Sequence, residues 1–449
     1  MPELRFTEVQ QHVSQLVTAA LAAAAPAGAV DRYLRREGTQ LLIGPYSFQP
    51  GRGRVYLVGV GKAALPMGRA AINTLGDALA EGILITKRPG GAPPNKPRFY
   101  TTNIAGQKSI RIFEASHPVP DEGSLHATAA VAEMLAHTTP RDLVLCLISG
   151  GTSSLLSQPL LPLPEWQELI TALLASGCTI SELNTVRRAL DRVKGGGLAE
   201  LAAPAACASL ILSDVVGNPL ADIGSGPTVA TPSGPAEARA VLDHYNLVST
   251  LTPETWQRVN SALGMAAPLN LGSSQVVNLI IGDVQQAAQA AVTAARNLGF
   301  DAHLLTAHLE GEAREVGRVV AALAKDARPG ACLVLGGETT VTVRGPGRGG
   351  RNQELALAAA IALSGWEKVA VASFATDGED GPTNAAGALI TGGTLARAQA
   401  LALDPQAFLK DNDSHNFFTI LSAGGRSNLL QTGATGTNVN DLILICKYP

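Results

Sequence analysis

The chain has 449 residues, 46% of them hydrophobic and 16% charged, with a formal net charge of −3. That length exceeds one ordinary core, so two or three domains are expected, and the near-neutral balance excludes an overall nucleic-acid-binding field. The five cysteines have no paired spacing, and Cys146, Cys332 and Cys446 lie in apolar runs; they read as small buried hydrophobes in a reducing compartment, not as a zinc site or disulfide frame.

Residues 16–30 are alanine-rich, but the approach through Glu3, Glu8, Gln10 and Gln11 and the interruption at Pro26 suit an amphipathic helix, not a signal peptide. No apolar run has the length of a bilayer span, so a soluble cytoplasmic protein without a membrane partner is expected. Short apolar runs lie at 55–60, 82–86, 143–148, 209–212, 276–281, 331–335, 369–374 and 442–446. Several are near-continuous in Val, Ile and Leu, as strands buried on both faces are. Helical patterns fill the intervals at 63–79, 124–137, 165–176, 181–202, 284–298, 312–326 and 352–363, with Asp283 at an N-cap position and Gly299 at a stop. The alternation predicts an α/β protein with a mostly parallel, doubly wound sheet. A boundary is expected in 227–252, giving domains of 1–240 and 241–449. The glycine-richer second half allows a mixed sheet.

The residues just past the ends of these runs carry the chemistry, because open parallel sheets bind ligands at the carboxyl ends of their strands. Gly59-Val60-Gly61-Lys62 opens a helix. A dinucleotide fingerprint needs a third glycine, which Leu65-Pro66 does not supply, and the next run ends at Lys87-Arg88 instead of an acid. Lys62 reads as a phosphate-neutralising lysine or as a surface lysine after a tight turn. His117-Pro118-Val119-Pro120-Asp121 reads as a rigid turn before a helix, with a His–Asp base as the alternative. Ser149-Gly150-Gly151-Thr152-Ser153-Ser154 has the composition of an oxyanion nest, or of a plain turn. Asn184-Thr185-Val186-Arg187-Arg188, then Lys194-Gly195-Gly196-Gly197, reads as a basic helix closed by glycines, its cations facing a ligand or complementing the helix dipole. Gly336-Gly337-Glu338-Thr339 comes directly after the 331–335 run. Gly345 to Glu354 then joins glycines, Arg348, Arg351 and a helix N-terminus, a combination suited to phosphate or carboxylate. Candidate Mg²⁺ ligands are Asp214, Asp283, Glu338, Asp377 and Asp380, of which Asp214 and Asp377 are retained.

Taken in order, Ser149-Gly150-Gly151, Asn184-Thr185-Val186-Arg187, Lys194-Gly195-Gly196, Ser213-Asp214-Val215-Val216-Gly217, Ser225-Gly226-Pro227-Thr228, Gly336-Gly337-Glu338-Thr339-Thr340, Gly347 to Glu354, Ala375-Thr376-Asp377-Gly378 and Thr435 to Asp441 resemble the bacterial glycerate 2-kinases, whose C-terminal part is the MOFRL domain (here about 330–445). Three positions depart from the family pattern: Thr152 stands at a common third glycine, and Asn218 and Asn384 at common acids. The resemblance implies a Rossmann-like N-terminal domain, a C-terminal α/β domain and a site in the cleft between them. It implies ATP-dependent phosphorylation of D-glycerate to 2-phospho-D-glycerate with Mg²⁺ or another divalent cation. The family's proposed catalytic lysine and arginine fall on Lys62 and Arg351. Substrate or phosphate is expected on Gly61, Ser149, Gly150, Gly151, Thr152, Ser153, Asn184, Arg187, Lys194, Gly336, Gly337, Glu338 and Thr339. The partners are then D-glycerate and ATP, with no nucleic acid and with a homodimer left open. The alternatives are an NADP-dependent hydroxypyruvate reductase, with Lys87-Arg88 on the 2′-phosphate, and a sugar-acid or nucleotide sensor that binds without turnover.

Overall fold

The computed structural model describes residues 4–49, 53–89, 98–102, 110–231, 234–265, 275–422 and 427–449. The chain forms two compact units, Pro26–Ile281 and Met1–Ala25 with Gly282–Pro449. The break expected near residue 240 falls inside the first unit. Val259, Ala262 and Leu263 of helix Pro253–Met265 share an apolar cluster with Trp166, Leu169, Leu183 and Leu242, and strand Val276–Gly282 extends the first unit's sheet. Pro232 and Ser233 of the expected linker lie outside the described residues.

The first unit's main sheet runs, in spatial order, Val276–Gly282, Ala206–Leu212, Leu143–Ile148, Val55–Val60, Leu79–Lys87, Ile110–Ala115, Arg98–Thr102. The five strands from Ala206–Leu212 to Ile110–Ala115 are mutually parallel, and Arg98–Thr102 is antiparallel at one edge. Strands Val55–Val60 and Leu143–Ile148 are buried at every residue, which is why their sequences show no alternation. Val58, Ile83, Val144 and Cys146 pack with Val131, Met134 and Leu198 from covering helices; each fully buried side chain of this size contributes about 1.5–3 kcal/mol. A separate antiparallel sheet joins Leu34–Glu37, Gln40–Ile43 and Tyr46–Phe48.

The second unit holds a mixed sheet ordered Asp301–Glu312, Ala331–Thr340, Asp441–Lys447, Val369–Ala375, Gly387–Thr391, Leu429–Leu430. Its first pair is parallel and the others antiparallel. Helix Val9–Ala23 lies on helix Val284–Asn297, and His12 Nδ1 hydrogen-bonds the Tyr448 hydroxyl at 3.1 Å. Asp283 caps its helix as expected, accepting from Gln286 N at 2.8 Å, and Gly299 takes a φ of +101° just beyond the end. Among the described residues no single helix is long and apolar enough to cross a membrane.

Two expected elements are redrawn. The apolar run at 331 does not stop at Leu335: the strand continues to Thr340, paired with Asp301–Glu312 through Gly337, Glu338 and Thr339. The glycine tetrad is therefore strand, and Gly337 is needed because a side chain there would overlap the Leu309 backbone. The basic helix of 181–202 ends at Leu190, and a new one begins at Gly197. Asp191 forms the break: its carboxylate accepts from Ser157 Oγ at 2.6 Å, Gln158 N at 3.0 Å and Val193 N at 3.1 Å.

Candidate active site

In the first unit the chain leaves Val55–Val60 toward one edge of the sheet, then returns to lay Leu143–Ile148 on its other side and build toward the opposite edge. The strand order thus reverses between these two strands. A crevice opens at the carboxyl ends of parallel strands at such a point. Val60 pairs with Ile148, so Gly61-Lys62 and Ser149-Gly150-Gly151 emerge side by side.

The two loops are stitched together. Lys62 N donates to Gly150 O at 2.9 Å and Ser149 N to Val60 O at 3.0 Å. Ala63 N donates to Ser149 Oγ at 3.1 Å. Thr152, at the position of the family's glycine, uses its hydroxyl inside the fold, donating to Val60 O at 3.0 Å and Ser149 O at 2.7 Å. Among the described residues the N–H groups of Gly150 and Gly151 find no acceptor, as an oxyanion cradle requires.

Cations gather around this loop. A methyl group built on Gly151 would lie 3.2 Å from His117 Cδ2 and 3.5 Å from Lys62 Cγ, so both side chains border that glycine. Burial, with Lys62, Lys87 and Arg187 adding to it, pushes the His117 imidazole down to about 4. Lys62 and Lys87 are exposed and Arg187 is buried. Among the described residues none of the three has a carboxylate at ion-pair distance. Burial pulls the Arg187 pKa down to about 10. Asp191 offsets part of that burial cost without reaching ion-pair distance, and an anionic ligand would offset more.

Helix Ile180–Leu190 positions Arg187 through Asn184. Arg187 Nη1 donates to Asn184 Oδ1 at 3.3 Å, and Ser225 Oγ donates to the same oxygen at 2.8 Å. Ser225 in turn shares a 2.8 Å hydrogen bond with Ser153, so the helix and the loop form one network. Lys194 stands apart from the expected ligand set. It is buried in the turn after the helix, its ammonium donates to the Leu156 carbonyl, and burial lowers its pKa to about 8. Its role there is to hold the turn.

The second unit revises the reading of the Gly345–Glu354 loop. The N-terminus of helix Arg351–Ala362 already has its anion: Asp380 accepts from Asn352 N at 3.0 Å and Gln353 N at 2.9 Å, and from both side-chain amides at 3.3 and 2.9 Å. Gly350 permits this, since any side chain there would overlap the Asp380 carboxyl. Upstream, the loop is bound to the Asp411–Asp413 segment, with Gly347 N on Asp411 O at 2.9 Å and Arg348 N on Asp413 Oδ1 at 2.8 Å. Asp380→Ala strands two backbone and two amide donors in a buried place. It should lower unfolding free energy by about 3–5 kcal/mol, measured by urea denaturation, with Asp380→Asn milder.

Arg351 projects from the same helix start into an acidic fork. Its Nε and Nη2 meet Asp441 at 2.5 and 2.9 Å, and its Nη1 meets Glu338 at 2.9 Å. Burial opposes the guanidinium's charge, but Asp441 and Glu338 outweigh it and hold the pKa above its ordinary value. Burial pushes the Asp441 carboxyl up to about 7 against Arg351's pull. The Asn440 side chain secures Glu338 at 2.9 Å. Thr339 is buried beside it in the strand, and Gly336 is closed over by Val284. Of the 336–339 tetrad, only Glu338 joins a charged group.

Of the two expected metal ligands, Asp214 lies beside the open N–H loop. It comes just after strand Ala206–Leu212, and its Oδ2 would lie 2.0 Å from a methyl group on Gly150, so a carboxylate stands against the open N–H loop. Asp377 Oδ1 is occupied by Glu379 N at 3.0 Å within its turn. Among the described residues no three or more His, Cys, Asp or Glu side chains form a metal-holding group; Mg²⁺ bound with a nucleotide needs only one or two carboxylates.

Residues 12–260 match a family described as a domain of unknown function (DUF4147), and residues 331–441 match the MOFRL family. The chain is 43% identical to the D-glycerate 2-kinase of Thermotoga maritima, over 87% of this chain and 90% of that one. It is 40% identical to a putative hydroxypyruvate reductase of Agrobacterium vitis, over 87% and 86%. The crystal structure of a Thermotoga maritima glycerate kinase superposes with a TM-score of 0.83 at 39% identity, covering 98% of this chain and all of the other.

Proposed function

The chain belongs to the glycerate kinase family, and we propose that it transfers the γ-phosphoryl group of ATP to the 2-hydroxyl of D-glycerate. The observation that carries this reading is the set of cations with no carboxylate at ion-pair distance among the described residues, Lys62, Lys87 and Arg187, around the open N–H groups of Gly150 and Gly151. Both substrates are anions, and phosphoryl transfer asks a protein mainly to position them and neutralise spreading charge. Arg187, fixed by Asn184, offers a rigid fork to a carboxylate. Lys62, exposed at the strand end, neutralises the transferring group. Arg351 is the second catalytic cation, oriented within its own unit by Asp441 and Glu338. Asp214 would hold Mg²⁺, which supplies neutralisation of the phosphate oxygens when bound.

The reductase reading is weaker on this structure. Of the Lys87-Arg88 pair suited to a 2′-phosphate, Arg88 is already paired with Asp121 at 2.7 Å, and the dinucleotide glycine pattern is incomplete. The test is direct. With D-glycerate and ATP·Mg²⁺ the purified protein should release ADP in proportion to glycerate consumed, and with D-glycerate and NADP⁺ it should form no NADPH. NADPH formation without ADP release would reject the reading.

A further inference from the structure

The turn after strand Ile110–Ala115 is anchored by Asp121. Asp121 accepts from Ser116 N and from Ser124 N, each at 3.1 Å, and pairs with Arg88. Among the described residues neither ring nitrogen of His117 makes a hydrogen bond. Its Nε2 would lie 3.6 Å from a methyl group on Gly151, on the side where Lys62 Cγ also approaches. A ring bordering the Gly150-Gly151 loop, with neither nitrogen hydrogen-bonded among the described residues, is placed to act on a bound ligand. Resting on the kinase reading above, we propose that His117 is the general base that takes the proton from the substrate's 2-hydroxyl.

The step balances. The hydroxyl O–H bond breaks and its proton passes to a His117 ring nitrogen. The freed oxygen forms the new bond to the γ-phosphorus as the bond to the β,γ-bridging oxygen breaks. ADP departs with that electron pair, and the proton later leaves to solvent.

Burial lowers the ring's basicity most, and the charges around it add to that. Lys62 and Lys87 face it from strand ends and Arg187 from helix Ile180–Leu190. Of the nearby acids, Asp121 is paired with Arg88, Asp214 stands against Gly150 on the same loop, and Asp191 acts on Arg187. In the free protein burial and, after it, the three cations keep the ring neutral, and thus ready to accept a proton. Anionic ligands settling among the cations offset their field, so the ring becomes a stronger base once substrate is bound. Since kcat/KM reports the free enzyme and kcat the complex, the two pH profiles should differ. The acid limb of kcat should lie at higher pH than that of kcat/KM.

The decisive comparison is kcat against pH for the wild-type chain, His117→Gln and His117→Ala, the last with and without added imidazole. Circular dichroism and D-glycerate binding by calorimetry confirm that each variant is folded. Both variants should lose about a hundredfold or more in kcat. His117→Gln should lose the acid limb, and imidazole should restore His117→Ala saturably. A variant kcat within a few-fold of wild type overturns the proposal. So does an acid limb unchanged in His117→Gln, or a failure of imidazole to rescue folded His117→Ala. If the wild-type chain itself makes no phosphorylated glycerate, the kinase reading fails as well, and that outcome is read separately from the variants.

Discussion

Lys62→Ala is expected to lower kcat by on the order of a hundredfold or more while leaving thermal unfolding nearly unchanged. The lysine's structural work is done by its backbone, whose N–H donates to Gly150 O at 2.9 Å, and alanine keeps that bond. Its side chain is exposed, and among the described residues no carboxylate pairs with it. Folding therefore loses little when the ammonium goes. The transition state loses more, because charge spreads over the transferring phosphoryl group and a cation at the sheet's reversal point stabilises it. Steady-state kinetics beside a melting curve decide the matter. Near-native kcat in a folded variant removes Lys62 from the catalytic set.

The second large effect separates two arginines of one loop. Arg351→Lys should lower kcat/KM by on the order of a hundredfold, whereas Arg348→Lys should be mild. Arg351 makes three directed contacts, two to Asp441 and one to Glu338, and an ammonium cannot reproduce that planar fork. The charge survives, but its position does not. Arg348 is exposed, and its side chain donates to the Pro382 carbonyl at 2.9 Å. Lysine can hydrogen-bond a single carbonyl there. Equal tolerance of lysine at both positions would mean that Arg351 contributes only diffuse charge. Circular dichroism on both variants guards against a folding defect at the buried Asp441.

The parallel core is legible in the sequence because a strand buried on both faces is written as an unbroken apolar run. Val55–Val60 and Leu143–Ile148 coincide with the expected strands, and the loops after them emerge side by side. Half-buried strands are harder to read. Ile110–Ala115 and Asp301–Glu312 mix polar and apolar residues, so neither stands out, and His117 is read without the strand that delivers it. The available signal is a histidine just past an alternating segment. Glycine is the other source of error. In the Gly345–Glu354 loop it signals close approach, but the approaching group is the protein's own Asp380 and the Asp411–Asp413 backbone, not a phosphate. A one-dimensional pattern cannot tell an internal anion from an external one. Lys194 shows the same limit: its charge suggests a ligand, and its burial against Leu156 gives it a structural place.

The most direct test of the account is the position of the phosphate in the product. The purified chain, D-glycerate and ATP·Mg²⁺ should be incubated and the product analysed by ³¹P NMR without proton decoupling. Phosphate on the 2-oxygen couples to the single proton on C2 and gives a doublet, which is the predicted result. A triplet, from the two protons on C3, would place the phosphate on the 3-oxygen and contradict the claim that the 2-hydroxyl is the acceptor.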